Sequence, residues 1–386
     1  MRLLVYEWSV AGGLGSAEVA DAVGREGWLM VRAVLDDALR DGGFEIDLLV
    51  DATRPFAVPA GVRSIAVAPG ADVDALVAAS TAADVTLVVA PETDGLLADR
   101  VARCRAAGGR VLAPMAAFLA IAADKQATAE ALAAAGVPVP AGRALAPNEP
   151  WPVGFIRPAV AKRRDGCGGE GYGVVAAAGA GGTPAPVDMP LRIEAFAPGD
   201  AVGVACLGGA AGVLPLPPLR QLFGDGPDGG RCYRGGEVLT DPLSAHRAER
   251  LAERAIDAVS RAAGVFACGG SPAAAGPTSG WVGVDMILGS RPDGGDDRVL
   301  EVNPRLTTSF VGLAAGSATS LMRLLVDGLD GTAAAAWPPS LSWGTSPGFR
   351  IPLDDRDAST VQRPDRPTTS GRAAGARYRR GEPQGG

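Results

Sequence analysis

Lysine is almost missing from this chain. Lys125 and Lys162 are the two lysines among 36 basic residues, so 34 are arginine. A bias toward arginine removes lysine wherever charge alone matters. The two that persist mark places that need a compact ammonium on a flexible stem and reject a wide planar guanidinium. Histidine is scarcer still, with His246 the whole supply. Multi-histidine metal centres are thereby excluded, and a Ser-His-Asp triad has only that residue to run through. His246 opens a charged helical stretch, Ser244-Ala-His-Arg-Ala-Glu-Arg250, and reads as an ordinary surface residue.

The 5 cysteines are dispersed, and no C-x-x-C pair occurs. That argues against a disulfide framework or a zinc site and for reduced thiols in a cytoplasm. No apolar run approaches the ~20 residues of a bilayer span. The longest, about Val111 to Ala123, reads as a buried helix, and Glu7 interrupts the apolar start too early for a signal peptide. A cytoplasmic protein with no membrane partner is expected. There is no G-x-x-x-x-G-K-[ST] and no kinase catalytic loop, so a P-loop is excluded. A net charge of −7 argues against nucleic acid as a partner.

What is present is a 386-residue chain, 47% hydrophobic, long enough for two or three cored domains. Strands are predicted at 2–6, 46–50, 63–66, 85–90 and 110–112, with helices over 28–40, 72–79 and 95–107 between them. That alternation predicts a parallel sheet with helices on its faces. The glycines at 12, 13 and 15 are not spaced as G-x-G-x-x-G and read as a structural turn. A helix from Asp124 to Ala135 stops at Gly136, with Pro138 and Pro140 beyond. Strands dominate from about 142 to 240. A long amphipathic helix follows over 244–263, then strands at 281–288 and 298–302 and a helix within 310–328. After Gly348 the arginines are interspersed with Pro, Gly, Thr and Ser, and a disordered tail is expected.

The sharpest local signal is Arg298-Val-Leu-Glu-Val-Asn-Pro-Arg305. In a strand, Glu301 and Asn303 share one face, with Leu300 and Val302 on the other, toward the core. A hairpin symmetric about Asp293 sets Asp285 opposite Glu301. Three oxygen-bearing side chains then meet, a site suited to a hard cation such as Mg2+ together with substrate phosphates. Arg305 beside it suits phosphate or acyl-phosphate oxygens. Lys162 ends a strand and runs into Asp165-Gly-Cys-Gly-Gly-Glu-Gly171, where glycines let backbone N–H groups approach phosphate closely. That loop can close over a γ-phosphate and exclude water.

The order Asp124-Lys125, Ala161-Lys162, Asp165–Gly171, Ile193-Glu-Ala-Phe-Ala-Pro-Gly199, Gly283-Val-Asp285 and Glu301-Val-Asn-Pro-Arg305 resembles the ATP-grasp superfamily over about residues 1–328. The resemblance implies a mixed α/β and α+β fold, in which a Rossmann-like parallel-sheet domain precedes two subdomains that grip ATP. It implies boundaries at 1–115, 116–193, 194–348 and the tail 349–386. It assigns Lys125, Lys162 and the loop glycines Gly166, Gly168, Gly169 and Gly171 to the phosphates, and Glu194, Ala195 and Phe196 to the adenine segment. Asp285, Glu301 and Asn303 become ligands of Mg2+, with Mn2+ as a substitute, and Arg305 and Lys162 the catalytic cations. The implied reaction activates a carboxylate as an acyl phosphate, which an amine then attacks.

The runs Tyr6-Glu-Trp-Ser-Val-Ala-Gly-Gly-Leu14, Arg25–Met30, Leu219-Arg-Gln221, Tyr233-Arg-Gly-Gly236 and Asn303–Phe310 are similar to the tyramine–L-glutamate ligase family of methanofuran-type C1-carrier biosynthesis. That implies glutamate and tyramine as substrates. Trp8, Trp28, Phe223 and Tyr233 read either as an aromatic wall for the amine or as ordinary core packing, and Arg220, Arg231 and Arg234 either as carboxylate binders or as a solvated loop. Gly203 stands where that larger family often has serine. A carboxylase-like or carbamoyl-phosphate-forming enzyme and a non-catalytic ATP-binding module are the alternatives. Many enzymes of this size are symmetric dimers, and a homodimer is expected.

Overall fold

The computed structural model describes residues 1–14, 17–54, 56–167, 173–175, 185–210, 212–225, 231–264, 278–330 and the short strands 340–342, 348–350 and 377–379. The N-terminal unit comprises β1 (Arg2–Glu7), α1 (Ala17–Asp41), β2 (Glu45–Asp51), β3 (Val62–Val67), α2 (Asp72–Ala82), β4 (Val85–Val89) and α3 (Leu96–Ala106). The strands form a parallel sheet in the order β3-β2-β1-β4. Its central strands are buried on both faces, which is why they read as continuous apolar runs. Leu3 and Val5 pack toward α1, and Leu4 and Tyr6 join Leu76, Leu97 and Val101 on the other side.

Two expectations for this unit change. Helix α1 begins well before Trp28. Gly24 and Gly27 dilute its apolar period, and Gly27 is there for close packing: a Cβ would lie 2.6 Å from Glu7 Cδ. The predicted strand at 110–112 is a single bridge between Thr86 and Val111, and the chain then turns into the next helix.

Next come α4 (Ala116–Ala122) and α5 (Lys125–Ala134), which stops at Gly136 with φ 69°. A small antiparallel sheet follows, built from β5 (Gly142–Leu145), β6 (Ala159–Arg163), β7 (Gly173–Val175) and β8 (Leu191–Ala195) in the order β5-β8-β6-β7. Its core is Leu145, Trp151, Ala159 and Ile193.

The remaining elements are β9 (Asp200–Gly209), β10 (Gly212–Pro215), β11 (Leu219–Asp225), β12 (Arg231–Val238), α6 (Pro242–Ala262), β13 (Gly280–Leu288), β14 (Arg298–Asn303), α7 (Ser309–Gly316), α8 (Leu321–Asp330), β15 (Ser340–Ser342), β16 (Gly348–Arg350) and β17 (Arg377–Arg379). The expected helix within 310–328 is thus two helices. A large sheet runs β14-β13-β9-β11-β12-β16, with β10 beside β9. Within the expected tail, β17 pairs antiparallel with β15.

Strand alternation sorts the two faces of this sheet. Val202, Val204, Cys206, Val282, Val284 and Met286 pack under α6, α4 and α5. Ala205, Leu207 and Trp281 face the other way and share a core with Leu3, Val34, Phe310 and Leu325. The N-terminal unit and the large sheet are therefore fused through one apolar cluster.

Candidate active site

Helix α5 presents Lys125 at its first turn. Asp124 caps it, accepting from Gln126 N at 2.8 Å and Ala127 N at 3.2 Å. Arg164 pairs with Asp124, and its carbonyl accepts from Lys125 N at 2.9 Å. The helix start is thus pinned to the end of β6. From there Lys125 Nζ donates to the Gly166 carbonyl at 2.5 Å and pairs with Glu301 at 3.1 Å. Burial is the largest influence on this lysine and would depress it, but the charge and hydrogen bond of Glu301, together with the Glu92 charge, outweigh it and raise its pKa. Gly168, Gly169 and Gly171 lie outside the described residues.

Lys162 stands on β6 and is 7% exposed. Its Nζ lies 2.5 Å from Glu194 Oε1. The Glu194 side chain is therefore turned into the small sheet. Ala195 N donates to Ala141 O at 2.8 Å and Phe196 N to Pro158 O at 3.0 Å. The Phe196 ring is left 41% exposed.

The hairpin of β13 and β14 has the register expected of it: Asp285 opposes Glu301 and Gly283 opposes Asn303. Asn303 Nδ2 donates to Asp285 Oδ2 at 2.9 Å, and Gln221 Nε2, from β11, donates to Asp285 Oδ1 at 2.7 Å. Gly203, opposite Asp285 on β9, leaves the space this carboxyl occupies: a Cβ there would sit 3.2 Å from Asp285 Oδ1. One expectation fails. Leu300 does not fill the core beside Val302; Val299 does. The register shifts between Asp285 and Met286, so Leu300 is an extra residue on β14 and the alternation inverts past it.

Two carboxyls in contact cannot both carry charge cheaply. Burial and then the neighbouring Glu301 push Asp285 up to about 7. Glu301 is held well below the usual carboxylate range, because Lys125 and Lys162 outweigh its own burial. A divalent cation would replace the shared proton. Two apposed carboxyls and an amide, all hard oxygen donors, fit magnesium coordination.

Arg305 follows β14 and reaches across to the N-terminal unit. Its Nε lies 3.0 Å from both Glu92 oxygens, and its Nη1 donates to Leu306 O at 3.2 Å. Burial works against this guanidinium's charge, but Glu92, only 5% exposed, leads a set of neighbours that includes Cys167 and Glu26 and that together more than restores it. The same turn holds the root of the glycine-rich loop: Asp94 N donates to Asp165 Oδ2 at 2.9 Å, and Arg163 bridges Asp94 and Asp165 at 2.7 Å each. Glu92 was not singled out from sequence. The available signal was its place just after β4, at the carboxyl end of a parallel sheet where strand order reverses between β1 and β4. Gln221 lay inside a quoted motif without a role.

Nearby, Glu7 ends β1 and is 4% exposed. It accepts from Ser9 Oγ at 2.5 Å and Val10 N at 2.8 Å, yet burial pushes it up to about 7. Burial also raises Glu26 on α1, with Arg305 opposing. The expected aromatic wall divides. Trp28 stacks on Phe56 at 4.6 Å, Phe223 meets Tyr233 edge-on at 5.9 Å, and Trp8 lies against Gly13. Arg220 pairs with Asp200 at 3.0 Å. His246 is exposed on α6. Among the described residues, no helix is long and apolar enough to cross a membrane.

This architecture has known counterparts. Residues 122–309 match the ATP-grasp domain, and residues 48–117 match the pre-ATP-grasp 3 domain. An ATP-grasp superfamily protein from Archaeoglobus fulgidus superposes with a TM-score of 0.61 at 21% identity, covering 85% of this chain and 88% of its own. Biotin carboxylase from Campylobacter jejuni, solved as a β,γ-ATP complex, gives 0.61 at 16%, over 89% and 75% of the two chains. L-amino acid ligase from Bacillus licheniformis gives 0.58 at 13%, over 92% and 80%. No curated protein matches by sequence. The fold is the ATP-grasp fold, with the stretch that matches the pre-ATP-grasp domain preceding the stretch that matches the ATP-grasp domain.

Proposed function

We propose that this protein is an ATP-dependent ligase that joins a carboxylic acid to an amine through an acyl phosphate. The observation that carries this reading is the grouping of Lys125, Asp285 and Glu301, with Arg305 within electrostatic reach of them and the Lys162–Glu194 pair in the adjoining small sheet. Lys125, Lys162, Gly166 and the further loop glycines Gly168, Gly169 and Gly171 neutralise and cradle the triphosphate. The segment Glu194–Phe196 borders the purine, with the Phe196 ring as its exposed surface.

Asp285, Glu301 and Asn303 would hold Mg2+, which when bound neutralises charge on the β- and γ-phosphates. The substrate carboxylate oxygen attacks the γ-phosphorus, and the bond to the β–γ bridging oxygen breaks, leaving ADP. Arg305 steadies the transferred phosphoryl group. The amine nitrogen then attacks the acyl carbon, inorganic phosphate leaves with the C–O electron pair, and the amine loses a proton. Positioning and charge neutralisation suffice for this chemistry, so a single distant histidine is no obstacle.

The finer reading takes glutamate as the acid and tyramine as the amine, in methanofuran-type one-carbon metabolism, in a cytoplasmic homodimer. It rests on the sequence runs around Tyr6–Leu14, Tyr233 and Asn303–Phe310. The test is ADP release with Mg-ATP, glutamate and a panel of amines that includes tyramine, omitting each component in turn. ADP that requires both an acid and an amine, with a product of matching mass, establishes the ligase. ADP released with bicarbonate alone would overturn it in favour of a carboxylase-like reaction. Lys162→Ala and Glu301→Ala should each abolish turnover, and full activity in either would remove the proposed site.

A further inference from the structure

The two lysines are not held independently. Strands β6 and β8 place Lys162 directly opposite Arg192, so two cations stand side by side in the interior of the small sheet. Arg192 is 2% exposed and Lys162 7%. Glu194, two residues along β8 on the same face, lies between them: Lys162 Nζ at 2.5 Å on one oxygen and Arg192 Nε at 2.9 Å on the other. The guanidinium has two further partners. Its Nη2 donates to Pro140 O at 3.1 Å, and its Nη1 donates to Gln126 Oε1 at 2.7 Å. Gln126 is the residue after Lys125, on the first turn of α5. A continuous path therefore runs Lys162–Glu194–Arg192–Gln126–α5–Lys125.

Burying two cations with one anion is a poor way to gain stability, because desolvation offsets the attraction. A planar fork with fixed donor directions is, however, a good way to set the relative position of three groups. Gly142 accommodates it, since a Cβ there would come within 3.0 Å of Arg192 Nη2.

We propose that Arg192 is a positioning residue that, through Glu194 and Gln126, locks the two lysines into one frame before nucleotide arrives. The inference rests on the reading of Lys125 and Lys162 as phosphate ligands. The frame itself has a readout that does not need that reading. With two lysines in the chain, acylation by acetic anhydride followed by peptide mass spectrometry reports each ammonium separately.

The experiment measures Mg-ATP affinity by calorimetry, and lysine acylation rates, for wild type, Arg192→Leu, Gln126→Ala and the double variant. Loss of such an outer partner is expected to weaken ATP binding by about 10–100-fold in Arg192→Leu. Gln126→Ala should weaken it by about threefold, and the double variant should be no worse than Arg192→Leu, since both cut one path. Acylation of Lys162 should rise in Gln126→Ala even though Gln126 does not touch it. Wild-type affinity in a folded Arg192→Leu, or two effects that simply multiply, overturns the frame. If Arg192→Leu does not fold, unchanged Lys162 acylation in Gln126→Ala overturns it instead. Should Lys162→Ala bind Mg-ATP as wild type does, the nucleotide reading fails, and the acylation rates still decide the frame.

Discussion

Glu7 offers a test of the cleft's electrostatics that needs no substrate. Its carboxyl ends the central strand β1 almost fully buried, and burial pushes it from 4.5 up to about 7. The sign follows from linkage. Below about pH 4.5 the group is protonated in both folded and unfolded chains and contributes no difference. Between 4.5 and about 7 the unfolded chain releases the proton and the folded chain keeps it, so stability falls as pH rises. Above about 7 the folded protein carries a buried charge and the penalty is complete. Each decade is worth about 1.4 kcal/mol, so the interval amounts to about 3 kcal/mol.

Glu7→Gln removes that penalty. The amide oxygen can still accept from Ser9 Oγ and Val10 N, so the local hydrogen bonds survive. Urea unfolding from pH 4 to 8 should give nearly equal stability for the two proteins at pH 4. The variant should gain progressively, to about 3 kcal/mol at pH 8. Titrations of groups that do not interact with Glu7 are common to both proteins and cancel in the difference; Glu26, whose charge bears on Glu7, adds in the same direction. Parallel curves, or a variant that is less stable at pH 8, would refute the reasoning.

Glu92→Ala leaves the Arg305 guanidinium buried without the carboxylate whose two oxygens share its Nε–H, and should cost about 3–5 kcal/mol in urea unfolding. Gly208→Ala places a Cβ 1.7 Å from the Thr278 carbonyl oxygen, so backbone must move. A loss of about 3 kcal/mol or more is expected, read as a lower urea midpoint. Glu301→Gln keeps the shape of the carboxyl and removes its charge. It should lower Mg2+-dependent ATP affinity by more than the ~10–100-fold typical of losing an outer partner of a metal ligand, measured by calorimetry with and without the cation.

The sheets, and the register of the hairpin that carries Asp285 and Glu301, were legible because strand alternation and turn symmetry are local properties. Leu300 was misplaced because a bulge leaves no sign in the apolar pattern. The early part of α1 was hidden for a similar reason: two glycines thin its apolar period, and Gly27 is there for close packing, which looks like weak helix propensity. The lysines stood out through their rarity, but what holds them did not. Glu92 lies 213 residues from Arg305 and Arg192 lies 66 from Gln126. Such pairs are set by tertiary packing, and nothing in a single sequence ties them together.

The acidic turn at Glu92–Asp94 bears on how this protein can be taken apart. It supplies the counter-charge for Arg305 and ties down Asp165 at the root of the glycine-rich loop, while α1 shares its apolar core with α7 and α8. A fragment beginning at residue 116 would keep every proposed ATP ligand. It would also expose that apolar face and leave a buried arginine without its partner. The N-terminal unit is thus packed as part of the half that carries the proposed site rather than as a detachable module. Swapping it for the equivalent unit of another ATP-grasp protein should succeed only where an acidic residue in the same turn comes with it.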